Sequence, residues 1–196
     1  HLSKSNFKVL LIEKNGYPKH KVCGEYVSNE VLPYLEFLGF NPFEFGAKRI
    51  YEGQLAVLKN DKTIIEMAEQ EAEHLKAFNK ILLERGIRPT ALSPLWNLGG
   101  YLLGMTTALI DRKAAMACTV AVEEVIDDHY KSQQEELQNN DTEKNLFKLI
   151  KKFRDEEIEH RNTALEHNAE DIRGYKVMTQ GIKGITKLAI FLSKKI

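Results

Sequence analysis

Apolar residues recur every three or four positions through most of the chain from Asn41 onward, and that period predicts helices. Asn41-Pro42 suits a cap followed by proline at the first helical position. Glu44, Ala47, Tyr51, Leu55 and Leu58 then share one stripe, which ends at the turn Asn60-Asp61-Lys62. Thr63 is placed to cap a second helix with the stripe Ile64, Ala68, Glu71, Leu75, Phe78 and Leu82, stopped by Gly86. A third core helix runs from Arg112 to about Asn139, with Met116, Val120, Glu123, Asp127 and Tyr130 in line. Beyond the turn Asn139-Asn140-Asp141-Thr142, a fourth carries Leu146, Leu149, Phe153, Glu157, His160 and Ala164. The pattern therefore predicts an all-α four-helix bundle over residues 41–196, with extra amphipathic helices. Residues 1–40 read differently. Phe7 to Glu13 has the look of a buried strand ending in an acid, followed by the turn Lys14-Asn15-Gly16-Tyr17-Pro18, which makes a short α/β-like opening.

Two segments lie outside the four core stripes. Pro89 to Ile110 is uncharged and rich in glycine and aromatic residues, and predicts either a buried crossover between the halves of the bundle or a membrane-contacting hairpin. At the C-terminus, Met178, Ile182, Ile185, Ala189, Leu192 and Ile196 form one apolar stripe, and from Gly174 onward there are lysines and no acid. Such a helix either packs on the bundle or lies on an anionic membrane surface.

The acids and histidines change this picture, because they interrupt the apolar stripes. Glu-x-x-His occurs twice, at Glu71–His74 and Glu157–His160, and a Glu with a Tyr seven residues later precedes each copy (Glu44 and Tyr51, Glu123 and Tyr130). Residues i and i+3 of a helix share a face, so each motif aims a carboxylate and an imidazole at one point. Two such helices, with one carboxylate from each of two others, give the four-Glu, two-His set of a carboxylate-bridged two-metal bundle. Buried carboxylates need a counter-charge. The same stripes offer no lysine or arginine, so two metal ions suit them better than ion pairs do. Asp127 and Glu73 are extra acids near the site, read as solvated or as standing directly behind the ligands. Iron and manganese both accept these donors.

Charge and cysteine usage add limits. Lys+Arg and Asp+Glu are both 28, which gives no reason to expect a nucleic-acid partner. Cys23 and Cys118 suggest no disulfide framework and point to a reducing compartment. The start His1-Leu2-Ser3-Lys4 has neither an initiator Met nor the apolar run of a signal peptide, and predicts a fragment.

The opening, with Glu13 at the strand end and Lys21-Val22-Cys23-Gly24-Glu25 after the turn, resembles FAD-dependent oxidoreductases of the geranylgeranyl-reductase type. In that family the strand-end acid binds the adenosine ribose. The first strand and its Gly-x-Gly-x-x-Gly turn are missing here, so no flavin site is expected from residues 1–40 alone. From about Phe45 to Ile196 the chain resembles the demethoxyubiquinone hydroxylases. The likeness rests on the runs Gly46 to Gln54, Arg88-Pro89-Thr90, Pro94 to Asn97, Ala115 to Glu124 and Lys151 to Glu157.

That resemblance implies a ferritin-like di-iron fold. It implies Glu44, Glu71, His74, Glu123, Glu157 and His160 as metal ligands, and His129 and Tyr130 as residues near the irons that serve electron or proton delivery. It further implies hydroxylation of a polyprenyl demethoxyubiquinone by O2 with NADH or another reductant, as a peripheral membrane protein. The place would be the cytoplasmic face of a bacterial inner membrane or the matrix face of the mitochondrial one. A homo-oligomer or quinone-biosynthesis partner proteins would fit the same setting. The family's Asp-His-Ala-Gly run before the first ligand is replaced by Phe40-Asn41-Pro42-Phe43, so Glu44 is carried over on its spacing to Tyr51. A ferritin-like iron store or a non-catalytic quinone-binding scaffold are the alternatives on the same helices.

Overall fold

The computed structural model describes residues 44–85, 92–138 and 143–193. The strand and turn expected in residues 1–40, the caps at Asn41-Pro42 and Gly86, the turn at 139–142 and Ile196 lie outside the described residues. Among the described residues there are six α-helices, one short 3-10 turn and no strand: α1 (Glu44–Val57), α2 (Lys62–Arg85), α3 (Ser93–Ile110), α4 (Arg112–Leu137), α5 (Lys144–Glu166), the turn Ala169–Asp171, and α6 (Tyr175–Ser193). Helices α1, α2, α4 and α5 are the four expected from the stripes.

Helix α4 is the central element. Every residue from Ala114 to Glu123 is buried, and the alanines there let neighbours approach from several sides. Asp111, the single residue between α3 and α4, caps the second helix by accepting from the Lys113 N–H at 2.7 Å. The start of α2 departs from expectation. Its cap is Asp61, which accepts the Ile64 N–H at 3.3 Å, whereas the Thr63 hydroxyl lies 3.1 Å from His167 Nε2. Arg112, the first residue of α4, also bonds the Asp61 carboxylate, so one acid caps one helix and fastens it to the next.

Of the segment expected as a crossover or hairpin, Ser93 to Ile110 form the helix α3, which lies against α1 with almost no space between the backbones. A Cβ on Gly104 would fall 1.9 Å from the Ile50 carbonyl oxygen, and one on Gly53 would fall 2.0 Å from that of Tyr101. Glycine at these positions is what allows the approach. The outer face of α3 leaves Leu95, Leu98, Leu102, Leu109 and Ile110 exposed.

Helix α6 corrects the single stripe drawn for it. Ile182, Ala189 and Ile190 are buried against the bundle together with Thr179, Thr186 and Ser193, while Ile185 is exposed beside Val177, Leu188 and Phe191. The helix is apolar on two faces, one docked and one open. Its C-terminal end is tied to α3, because Trp96 Nε1 donates to Ser193 Oγ at 2.7 Å. Among the described residues no helix is long and apolar enough to cross a membrane.

Candidate metal centre

Helix α2 carries Glu71 and His74 inward, α5 carries Glu157 and His160, and α4 carries Glu123. All five are at least 98 % buried in a core otherwise built of Met67, Phe78, Met116, Val120 and Phe153. Burial follows from position, since each acid or histidine replaces an apolar residue in its helix's inward stripe. One ligand atom from each of Glu71, Glu123, Glu157 and His160 lies within 4.8 Å of the others. His74 joins through Nδ1, at 3.2 Å from Glu157 Oε1 and 3.7 Å from Glu71 Oε1. The Nδ1 of His160 is 3.2 Å from Glu157 Oε2 and 3.6 Å from Glu71 Oε1. The two imidazoles lie within 25° of parallel with centroids 6.4 Å apart, and Phe153 lies against His74 at 4.0 Å between centroids.

The donors fit a divalent metal on chemical grounds. Three carboxylates converge in a space shielded from water, and isolated burial of even one costs several kcal/mol or more. A place lined by carboxylate oxygens and imidazole nitrogens has to hold positive charge, either as protons or as metal cations. Burial pushes the Glu157 carboxyl up, but hydrogen bonds from His160 and His74, with their charge, outweigh it and hold the group at about 2. Tyr51 on α1 donates its hydroxyl to Glu123 Oε1 at 2.7 Å. Burial, then the charges of Glu123 and Glu71, keep this phenol far above its ordinary range, so it stays a donor.

Five of the six residues carried over as ligands are thus gathered in one cluster. Glu44 begins α1, and its side chain lies outside the described residues. Tyr130 is fully buried two turns along α4 from Glu123, and His129 is half-buried and bonded to Gln133 at 2.9 Å. His129 is not among the four ligand groups that converge. Glu73 is exposed, and Asp127 is ion-paired to Arg154 at 2.6 Å rather than simply solvated.

Three residues escaped the sequence reading of the site. The spacing that marks Tyr51 does not reveal that its hydroxyl bonds Glu123, the acid of the other half. Gln70 Oε1 bonds His160 Nε2, and Glu156 Oε2 bonds His74 Nε2 at 2.8 Å. The signal was present, because Gln70 and Glu156 each stand directly before the Glu of a Glu-x-x-His.

Three buried carboxylates and two imidazoles, presented by helices of one bundle, define an all-α protein with a carboxylate–histidine cluster that could hold a metal ion. The chain belongs to the family described as Ubiquinone biosynthesis protein COQ7, whose model matches residues 43–193. It is 52% identical over 159 residues to the NADPH-dependent 3-demethoxyubiquinone 3-hydroxylase, mitochondrial, of Dictyostelium discoideum, covering 78% of this chain and 72% of that one. The human protein of the same name is 48% identical over 158 residues, covering 78% and 73%. The 3-demethoxyubiquinol 3-hydroxylase of Rhodospirillum rubrum is 45% identical over 157 residues, with the same coverage of 78% and 73%.

Proposed function

We propose that this chain hydroxylates the ring of a demethoxyubiquinone-type polyprenyl quinone in ubiquinone biosynthesis, using O2 at two iron ions held in the bundle. The observation that carries the metal part is the water-shielded convergence of Glu71, Glu123, Glu157 and His160, with His74 beside them. The reaction is supported by the names of the relatives, which are hydroxylases from eukaryotes and a bacterium. Those names favour an enzyme over an iron store or a passive scaffold. The reductant expected from the resemblance was NADH or another donor, and the relatives' names favour NADPH.

The residues have distinct tasks. Glu71, Glu123, Glu157, His74 and His160, with Glu44 as the sixth, would hold the irons. When bound, a di-iron pair supplies the reduction and activation of O2. Tyr51 holds Glu123 in place by its hydrogen bond and limits how far that carboxylate turns. Phe153, Phe78, Met116 and Val120 exclude water around the acids, which strengthens each charge interaction inside. His129 and Tyr130, on the same helix as Glu123, would serve electron or proton delivery, as the family resemblance implies.

The exposed leucines of α3 and the outer apolar face of α6 suit peripheral attachment to a membrane holding the quinone. The relatives named as mitochondrial favour a mitochondrial setting, where the matrix face of the inner membrane would be the side used, and a bacterial chain would use the cytoplasmic face. The test is anaerobic loading of the chelated protein with ferrous iron, followed by metal analysis and single-turnover assay on a demethoxyquinone. Two irons per chain and hydroxylated product are expected for the wild type, with both reduced in His74→Ala and His160→Ala. Full product formation by a variant lacking iron would contradict the reading.

A further inference from the structure

The doubled motif contains a crossed pair of contacts that the hydroxylation reading does not use. Gln70 sits on α2 one residue before Glu71, yet its amide oxygen accepts from His160 on α5. Glu156 sits on α5 one residue before Glu157, and its carboxylate accepts from His74 on α2 at 2.8 Å. Each imidazole therefore turns Nδ1 toward the buried carboxylates and Nε2 toward the opposite helix. The two halves repeat one geometry with different chemistry, since one partner is a neutral amide and the other a carboxylate.

The difference has a direct consequence for the histidines as ligands. An imidazole whose outer N–H points at a carboxylate gains basicity and donates more strongly to a metal at its other nitrogen. An amide oxygen fixes the ring without adding charge. The second Glu156 oxygen, Oε1, lies 3.3 Å from Lys152 Nζ, whose ammonium is largely exposed and so weakens that charge only modestly. Lys152 also lies over the Phe153 ring at 5.6 Å, and that ring lies against His74 with centroids 4.0 Å apart and planes tilted by 35°.

We propose that Glu156 and Gln70 are positioning residues that make the two metal positions unequal. The position held by His74 binds its ion more tightly and fills first, and the position held by His160 binds more weakly and empties first. The inference rests on the two-metal reading of the site given above.

The test uses the full chain, freed of metal by a chelator and titrated with Co(II) at one fixed pH, followed by calorimetry and the visible spectrum of the bound ion. The wild type is expected to load two ions in separate steps, about tenfold or more apart in affinity. Glu156→Gln keeps the shape and the acceptor but removes the charge. It should weaken the first step by about tenfold and leave the second unchanged, so that the steps merge. Gln70→Glu should tighten the second step by about as much and leave the first alone. Helical circular dichroism and melting of the metal-free variants should match the wild type, which separates positioning from loss of fold. Equal affinities for two ions in the wild type would overturn the inference while sparing the two-metal reading. Equal shifts of both steps in either variant would do the same. Binding of no ion, or of one, by the wild type would overturn both.

Discussion

Gly104→Ala and Gly99→Ala make the same chemical change on the same helix, and the structure assigns them opposite effects. At Gly99 a new methyl meets nothing within 4 Å, so the variant should show only the helix-propensity gain of alanine over glycine, about 1 kcal/mol. At Gly104 the methyl would stand 1.9 Å from the Ile50 carbonyl oxygen and 2.7 Å from its carbon. Carbon–oxygen contacts settle near 3.3 Å, so α1 and α3 have to part by roughly 1.4 Å. The atoms met are backbone, and no side chain can swing aside. Overpacking of this kind costs about 1–3 kcal/mol or more, which outweighs the propensity gain. For a chain of this size each kcal/mol moves the melting temperature by about 2–4 °C. Gly99→Ala should melt a few degrees above the wild type and Gly104→Ala several degrees below, by circular dichroism at one scan rate. Gly104→Ala should also lose activity, since α1 carries Tyr51 to Glu123. A Gly104→Ala protein at least as stable as the wild type would refute the close α1–α3 packing.

Three further outcomes follow from the same geometry. Tyr51→Phe leaves a buried Glu123 oxygen without its phenol donor, which should cost about 1–3 kcal/mol in urea unfolding and lower the iron content. In the metal-free protein, Glu157 is held at about 2, below its unfolded range. Its contribution is therefore present above about pH 4.3 and lost as pH falls toward 2, and Glu157→Gln should flatten that acid limb of stability. Trp96 is the only tryptophan in the chain and adjoins the exposed α3 leucines, so its fluorescence should shift to the blue on anionic vesicles. Leu98→Glu and Leu188→Glu should each weaken that binding about tenfold or more, given about 1.5–3 kcal/mol per buried leucine. Unchanged partition in both variants would remove α3 and α6 from the membrane face.

The core of the centre was legible because its chemistry violates the helical pattern. Glu71, Glu123 and Glu157 stand where the stripes call for leucine, and a carboxylate there is tolerable only with protons, charged imidazoles or metal cations to offset it. The four bundle helices were legible for the complementary reason, as their stripes are long and regular. The contact of α1 with α3 was not, because glycine marks a close approach only once the facing backbone is known. Helix α6 misled because its docked face includes Thr179, Thr186 and Ser193, which a hydropathy pattern counts as polar. In the fold the Thr179 hydroxyl bonds back to the Tyr175 carbonyl at 2.8 Å, so the residue buries at little cost. Sequence alone points to Thr63 as the cap of α2, where Asp61 holds it, since both residue types cap helices and the Arg112 partner that favours Asp61 is distant in sequence. Gln70 and Glu156 were overlooked because their partners lie on the opposite helix.

The central claim is that this buried cluster, loaded with iron, inserts an oxygen atom from O2 into a quinone ring. Isotope labelling tests it most directly: wild-type protein loaded with two irons per chain is given a reductant, a demethoxyquinone and 18O2, and the product is weighed by mass spectrometry. The account predicts one 18O atom in the new hydroxyl, none when the label is in water, and no product from the chelated protein or from His160→Ala. Product whose new oxygen comes from water, or equal product from the chelated protein, would contradict it.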